Sequence, residues 1–360
     1  MNEKGICYFF VYDKISIPGV HKKILGTLES AMNNGYQVRQ YSSDSKEKPT
    51  FVKMLLEIIK CNEKILIVRS IFYLNFVIMP FVLIARVQGK KIYCDVPSSF
   101  KSALYEIFDH DCHFFVKIKY LLGTFLGASW SLIPYNYIIT YSEDYTFFSF
   151  AQKYKTLLLT NSISLSQISP RRKYPVWPSN RLNLVAVAFV SNYHGYDRVL
   201  RSIYDWNNKN NNYKVFFTII GDGSAIPYLK QLAAKLKIEN YIIFKGILTF
   251  QNILPIYENS HIAVGSIGLH RKKMNLHSEL KAREYAAVGI PFISSGNDLD
   301  FSKDQNFRIV ISTDDEFVDL INLYANIDKF LSSISIQEIT DFAKNNLTFN
   351  SKFNKLKINE

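Results

Sequence analysis

The chain is poor in cysteine: four in 360 residues, at positions 7, 61, 94 and 112. They form no C-x-x-C pair and have no histidine at zinc-finger spacing, so a disulfide scaffold or a zinc module is not the basis of the fold. A reducing cytoplasm is the expected compartment. Fifteen Gly and eleven Pro are too few for a collagen-like or linker-like chain. Long apolar runs are also scarce. Ile71–Ala85 is uncharged but only fifteen residues long, contains Asn75 and Pro80, and is bracketed by Arg69 and Arg86. Tyr120–Ile139 runs for twenty uncharged residues, interrupted by Gly, Thr, Ser, Pro and Asn. Both read as buried or interfacial helices rather than membrane spans. The N-terminal MNEKGICYFFVYDK carries acid early, and its apolar run is too short for a secretory signal.

What is present is enough apolar material for real cores. Hydrophobic residues make up 48% and charged residues 21%, with 27 Phe and 23 Tyr. The length suits two domains. Basic residues outnumber acidic ones, giving a net charge of +12, of which +9 lies in residues 1–175. A basic surface suits a phosphorylated substrate, an anionic membrane or nucleic acid. No helix-turn-helix, RNA-recognition or zinc-finger pattern accompanies it, so nucleic acid is not expected as a partner. The basic residues are scattered, so a plain solvated basic surface stays open; among functional readings peripheral contact with an anionic membrane is preferred, with Trp130 at the lipid interface. Phe72, Tyr73, Phe76 and Phe81, at helical spacing, read as core.

Strands alternate with helices throughout. Strands are expected at 6–12, 36–42, 64–70, 91–97, 137–142 and 156–161, with helices near 21–33, 51–61 and up to Val87 between the first of them. SPRRKYPVWPSNR, with Pro170, Pro175 and Pro178, reads as a linker. The rhythm then restarts: strands at 183–190, 215–221, 241–246, 262–267 and 291–295 alternate with helices near 196–206, 226–236, 250–259 and 279–288. NNKNNN and the basic GLHRKK are loops. Repeated strand–helix–strand units imply α/β architecture with parallel sheets, here two Rossmann-like domains facing a cleft. Ligands of such sheets bind beyond the carboxyl ends of the strands.

The stretch LHSELKAREYAAVGIP, residues 276–291, is the most informative. Ser278 is a plausible N-cap and Gly289 a plausible stop before Pro291. A helix N-terminus presents free N–H groups and partial positive charge, which suits a diphosphate. Lys281 in the first turn adds a full charge, and Glu284, three residues on, lies on the same face. Taken alone, it reads as an ordinary surface helix with a Lys–Glu pair.

It does not stand alone. VAFVSNYHGYDRVL (187–200), IIGDGS (219–224), GLHRKK (268–273) and SELKAREYAAVGIPFI (278–293) follow in order on successive strand ends. Together they resemble the retaining nucleotide-sugar glycosyltransferases of glycosyltransferase family 4, in the capsule and exopolysaccharide branch. In the first half PGVHKKI (18–24), ILIVRS (65–70) and KKIYCDVPS (90–98) are similar to stretches of that branch. The similarity covers most of residues 6–300.

The resemblance implies the GT-B fold: an acceptor domain over 1–172, a nucleotide-sugar domain over 180–340, and a C-terminal helix over 341–360 that returns to the first. It implies a UDP- or GDP-linked sugar as co-substrate, no cofactor or metal, and a glycan or lipid-linked oligosaccharide as acceptor. Glu284 matches the second acid of the E-x7-E motif and would hold the donor ribose. Leu280 and Lys281 would sit at the diphosphate, Leu248 in the nucleobase pocket, and Gly19, Gly221 and Gly223 where backbone approaches the donor. Asp222 reads as a turn residue. Two departures stand out. The first acid of the motif falls on Leu276, for which Glu279 is a weak substitute, and the usual basic pair is replaced around Asn192–His194. Arg198, Arg271, Lys272 and Lys281 are then the nearest cations for the leaving diphosphate. Asp95 is the candidate to orient the acceptor hydroxyl or stabilise the oxocarbenium, or it is a turn residue. His194 and His21 are candidate phosphate contacts, or packing residues. Other readings stay open: a catalytically degenerate partner subunit, and a nucleotide-sugar epimerase.

Overall fold

The structure is a computed structural model. It describes residues 5–11, 18–43, 48–97, 100, 104, 107–108, 113–141, 155–209, 212–272, 276–315 and 317–358. Cys112, Lys273, the middle of NNKNNN and the last residues of the strands expected at 6–12 and 137–142 lie outside that set.

The chain forms two compact units. The first comprises Met1–Ser162 and Phe349–Glu360, and the second Ile163–Thr348. The first holds strands β1 (Gly5–Val11), β2 (Gln37–Ser43), β3 (Ile65–Arg69), β4 (Lys91–Val96), β5 (Tyr137–Thr140) and β6 (Thr156–Leu158). They form one parallel sheet in the order β2-β1-β3-β4-β5-β6. Helices α1 (Pro18–Asn33), α2 (Lys48–Lys60), α3 (Phe72–Val87) and α4 (Phe114–Leu126) follow β1, β2, β3 and β4. Because side chains alternate along a strand, GICYFFV feeds two cores. Cys7, Phe9 and Val11 join Met54, Ile58, Ile78 and Val82 on one face. Ile6, Tyr8 and Phe10 join Ile24 and Leu28 of α1 on the other, together with Phe353 and Leu356 from the chain's end. That end is the short helix α12 (Phe349–Lys352) and a following 3-10 turn. It is locked in place by Lys352, whose ammonium donates to Thr160 Oγ1 at 2.5 Å and Asn161 O at 2.8 Å.

The second unit repeats the plan with β7 (Arg181–Val187), β8 (Lys214–Ile220), β9 (Ile242–Gly246), β10 (Ile262–Val264), β12 (Phe292–Ser295) and β14 (Arg308–Ile311). Their parallel order is β14-β12-β10-β7-β8-β9. Helices α5 (Tyr196–Asn207), α6 (Ile226–Leu236), α7 (Phe250–Glu258) and α8 (Leu280–Val288) connect them. Helices α9 (Val318–Ala325), α10 (Ile327–Ser332) and α11 (Ile336–Asn346) complete the unit, and β11 (Leu276–His277) pairs with β13 (Asn297–Asp298) as a small separate ribbon. Leu184 and Ala186 face one core with Val199 and Leu229, while Val185 faces the other with Ala282, Tyr285 and Ile339.

Two expectations change. The stretch expected to be a free linker is pinned to the second unit: Arg171 is buried, its N–H bonds Val288 O at 2.9 Å and its guanidinium bonds Ser260 O at 3.0 Å. A buried guanidinium needs such carbonyls, so this segment folds with the sheet it precedes. Phe76, expected in the core, is exposed on α3, whereas Phe72 and Phe81 pack against the core.

Candidate donor-binding site

In the second sheet β7 has β8 on one side and β10 on the other, so the strand order reverses between β7 and β10. In folds of this kind the ligand crevice lies beyond the carboxyl ends of such a pair of strands. The loop after β7 carries Ser191–Gly195; the loop after β10 carries Gly265–Lys272. Gly195 takes φ +70°, and a Cβ on it would lie 2.8 Å from Gly268 N, so only glycine lets these loops touch. His194 O accepts from Ile267 N–H at 3.0 Å, fixing the contact.

Helix α8 starts beside this crevice. Its N-cap is Glu279, in extended conformation, rather than the Ser278 expected from the sequence, and the Glu279 side chain makes no cap bond. Glu279 instead turns its Oε2 to Ser266 N–H, 2.9 Å away on the β10 loop. Among the described residues its Oε1 has no hydrogen-bond partner; it lies 3.6 Å from His277 Nδ1. Lys281 follows. Its ammonium lies 4.0 Å from Glu279 Oε2, its side chain is 13% exposed, and among the described residues no hydrogen bond satisfies it. Burial depresses the Lys281 pKa to about 8, against the pull of Glu279 and Glu284. A buried cation that the described residues pair with one carboxylate at 4.0 Å but satisfy with no hydrogen bond, at a helix N-terminus, favours an anion there on both counts.

The other expected cations are placed differently. Arg198 is buried, and its guanidinium bonds Ile267 O, Ser312 O at 3.2 Å and Ser312 Oγ at 3.2 Å; it braces the β10 loop. Arg271 makes a two-pronged pair with Asp197 at 2.8 and 2.9 Å, reaches Asp315 Oδ1 at 2.6 Å, and bonds Asn192 O at 2.9 Å. It ties the β10 loop to the start of α5. The Lys272 ammonium sits 3.7 Å from the centre of the Tyr193 ring. His194 is buried and accepts from Ser191 N–H through Nδ1 at 2.9 Å, which leaves Nε2 to carry the proton. Burial, then the charges of Lys281 and Lys272, hold its pKa far below the ordinary histidine value, so it is a neutral N–H donor.

The structure thus brings His194, Arg271, Lys272, Leu280 and Lys281 around one crevice. Glu284 lies one turn into α8, half-buried and close enough to act on Lys281. Gly221 and Gly223 follow β8; a Cβ on Gly221 would lie 1.9 Å from Ala188 O, so this loop packs against the one after β7. Leu248, after β9, is partly buried against the Ile253 core. Asp222 makes a turn, its carboxylate accepting from Gly223 N–H at 2.8 Å.

Sequence reasoning missed how much of this site rests on Arg283. That guanidinium is fully buried, pairs with both oxygens of Asp298 at 2.7 Å, reaches Asp300 at 2.5 Å and bonds Glu279 O at 3.0 Å. It anchors the first turn of α8 to the ribbon strand β13. Its only sequence trace is its place one helical turn after Glu279. Among the described residues no cluster of His, Cys, Asp or Glu has the makings of a metal site.

In the first unit Gly19 lies in the first turn of α1, and His21, half-buried, follows it. Asp95 ends β4 and is 1% exposed; its Oδ2 accepts from Tyr8 Oη and from Arg69 Nη1, both at 2.5 Å. Burial pushes the Asp95 carboxyl up, but Arg69, Lys23 and the hydroxyls of Tyr8 and Tyr141 outweigh it and hold the pKa low. Lys23 stacks 3.0 Å over the Tyr141 ring, and burial, opposed by Asp95, lowers its pKa to about 7. Tyr8, Lys23, Asp95 and Tyr141 line a cavity of about 40 Å³ between the sheet, α1 and Phe353. Asp95 is therefore the hub of a buried polar network rather than an exposed turn residue.

No protein-family model and no curated protein sequence matches the chain. Solved structures do. A glycosyltransferase from Rickettsia africae ESF-5 is 15% identical, with a TM-score of 0.66 over 99% of this chain and 98% of that one. The lipopolysaccharide outer core galactosyltransferase WaaB is 12% identical, with a TM-score of 0.64 over 99% of this chain and all of WaaB. Anabaena HepE, solved with UDP, is 11% identical, with a TM-score of 0.65 over 99% and 100%. At such identities the likeness concerns architecture: two parallel six-stranded α/β sheets in the GT-B arrangement of glycosyltransferases.

Proposed function

We propose that this protein transfers a sugar from a UDP- or GDP-linked donor to a growing surface glycan, carried on lipid, with retention of anomeric configuration. The observation that carries the reading is the Lys281 ammonium, buried and without a hydrogen-bond partner at the open N-terminus of α8, at the strand-order reversal of the second sheet. The UDP and UDP-glucose complexes of HepE lend support from a neighbour of the same fold.

On this reading the diphosphate takes the α8 N–H groups and Lys281, with the His194 Nε2 proton and Lys272 as further donors. Glu284 accepts from the ribose hydroxyls, and the Leu248 loop flanks the base. Glu279, its Oε1 unpartnered, takes the sugar-facing role that position 276, a leucine, cannot fill. In the reaction the anomeric C–O bond to the diphosphate breaks, the acceptor oxygen bonds the anomeric carbon, and the acceptor's proton leaves. Negative charge grows on the departing diphosphate, where a fixed cation in a water-poor site stabilises it most. Asp95 acts on the acceptor side as a positioning residue, by fixing Arg69 and Tyr8. On this reading the protein works in the cytoplasm, peripherally on the inner face of the membrane that bears its acceptor.

Calorimetry of the purified protein against UDP, GDP, CDP, ADP and their sugars tests the reading. Selective binding of one nucleoside diphosphate, altered by one sugar, and turnover with a cell-derived lipid-linked acceptor are expected; a folded protein that binds none of them refutes it. Leu276 favours one alternative, a degenerate partner subunit, which binding without turnover would support.

A further inference from the structure

Helix α3 buries Asn75, Ile78, Val82 and Ala85 against the first sheet. Its opposite side is apolar as well. At about 100° per residue, Phe76, Val77, Leu83, Ile84 and Val87 fall within one third of the helix circumference. All five are exposed, Val87 to 82%. Helix α4 does the same: Phe114, Phe115, Ile118, Leu122, Phe125 and Leu126 share one third of its circumference and are exposed, Phe115 to 80%. The outer face of a helix packed on a sheet is ordinarily polar, and scattered exposed apolar residues need no account, but a stripe along each of two neighbouring helices does. The helices are packed together. Tyr73 meets Tyr120 at 5.1 Å, Asn75 Nδ2 bonds Gly127 O at 3.1 Å, and Trp130 meets Phe76 edge-on at 5.6 Å.

Charge says what covers this face. No Asp or Glu occurs in residues 70–94 or 113–142. Lys119 borders the α4 stripe on one side and Lys117 lies beyond its other edge. Arg86 and Lys155 gather over the carbonyls of residues 132–135, next to exposed Ile133: Arg86 Nη1 bonds Pro134 O at 2.8 Å and Lys155 Nζ bonds Ile133 O at 2.9 Å. A second copy docked by two-fold symmetry would set these cations against themselves. An anionic bilayer complements both the apolar stripes and the cations, with Trp130 at the level of the headgroups. Neither helix is long and apolar enough to cross a membrane, so the face lies on the bilayer rather than spanning it.

We infer that the α3–α4 face of the first unit is a docking surface for an anionic lipid bilayer. The test uses the full-length protein and vesicles of phosphatidylcholine with or without phosphatidylglycerol. Because neither nucleotide sugar nor acceptor is present, its outcome is independent of the donor-site reading. The protein should sediment with phosphatidylglycerol vesicles, and brominated lipid should quench a tryptophan signal that is absent in Trp130→Phe. Phe115→Glu with Leu122→Glu should weaken partitioning by about a hundredfold. Lys117→Glu with Lys119→Glu should weaken it by about tenfold or more, on anionic vesicles only. Unchanged melting temperature and nucleoside diphosphate binding confirm that the variants are folded. Three results would overturn the inference: no sedimentation with phosphatidylglycerol vesicles at low salt, full partitioning by Phe115→Glu/Leu122→Glu, or a lipid-free dimer that this double variant converts to monomer.

Discussion

The Lys281 ammonium offers a test in which pH is the perturbation. Burial lowers its pKa to about 8 from the ordinary lysine value of 10.5. A depression of that size corresponds to roughly 3 kcal/mol by which the empty site disfavours the charged form. A diphosphate beside the ammonium reverses the preference, so binding raises the pKa and takes up a proton wherever the free lysine is neutral. The sign follows. Below about pH 8 Lys281 is already charged, and affinity for a nucleoside diphosphate does not vary with pH on its account. Above about pH 8 affinity falls, approaching about tenfold per pH unit, and proton uptake rises toward one. The second ionisation of phosphate, near about 6, is complete in this range and does not disturb the trend. Isothermal titration calorimetry from about pH 7 to about pH 10, in buffers of different ionisation enthalpy, reads affinity and proton uptake together. Lys281→Met should lose about a hundredfold in affinity for the diphosphate and flatten the profile; Lys281→Arg, always charged, should flatten it while retaining binding. A flat profile in the natural protein, with no proton uptake, would refute the placement of the diphosphate at α8.

Glu284→Ala should weaken nucleotide binding by about 1–3 kcal/mol while leaving inorganic pyrophosphate affinity nearly intact, if its carboxylate holds the ribose; calorimetry with both ligands separates the two. Asp95→Asn leaves Arg69 buried without its counter-charge and should cost about 3–5 kcal/mol in denaturant unfolding. The same change should lower transfer but not nucleoside diphosphate affinity, and a lost nucleotide affinity would speak against its acceptor-side role. Arg283→Met strands Asp298 and Asp300 and should destabilise by about 3–5 kcal/mol, with a shift below about 1 kcal/mol in urea unfolding arguing that the triad is not a brace.

The alternation of apolar strands and helical stretches made both sheets legible, because a strand buried on two faces must read as an unbroken apolar run. The end of α8 was legible because Gly289, at φ +84°, and Pro291 mark where that helix must stop, whereas its N-cap, expected at Ser278, falls on Glu279. What sequence could not show is which cation is left over. Arg198 and Arg271 looked equal to Lys281 as diphosphate ligands. Their partners, Ser312 and Asp315, lie 114 and 44 residues away, and only the folded sheet brings them in. Glu279 was obscured likewise, since its anchor is the backbone N–H of Ser266, which no residue type announces. Phe76 of α3 read as core because hydrophobicity alone does not say which side of a helix meets the sheet.

The first unit is not contiguous in the chain: Phe353, Leu356 and Ile358 fill the same core as Ile6, Tyr8 and Phe10. During synthesis residues 1–162 emerge first, yet that core stays open until residues 349–358 leave the ribosome, after the whole second unit. The unit begun first is finished last. A separately expressed 1–162 fragment would keep Ile24 and Leu28 of α1 over Tyr8 and Phe10 but lose Phe353, Leu356 and Ile358, whereas the second unit, Ile163–Thr348, is one continuous piece of chain.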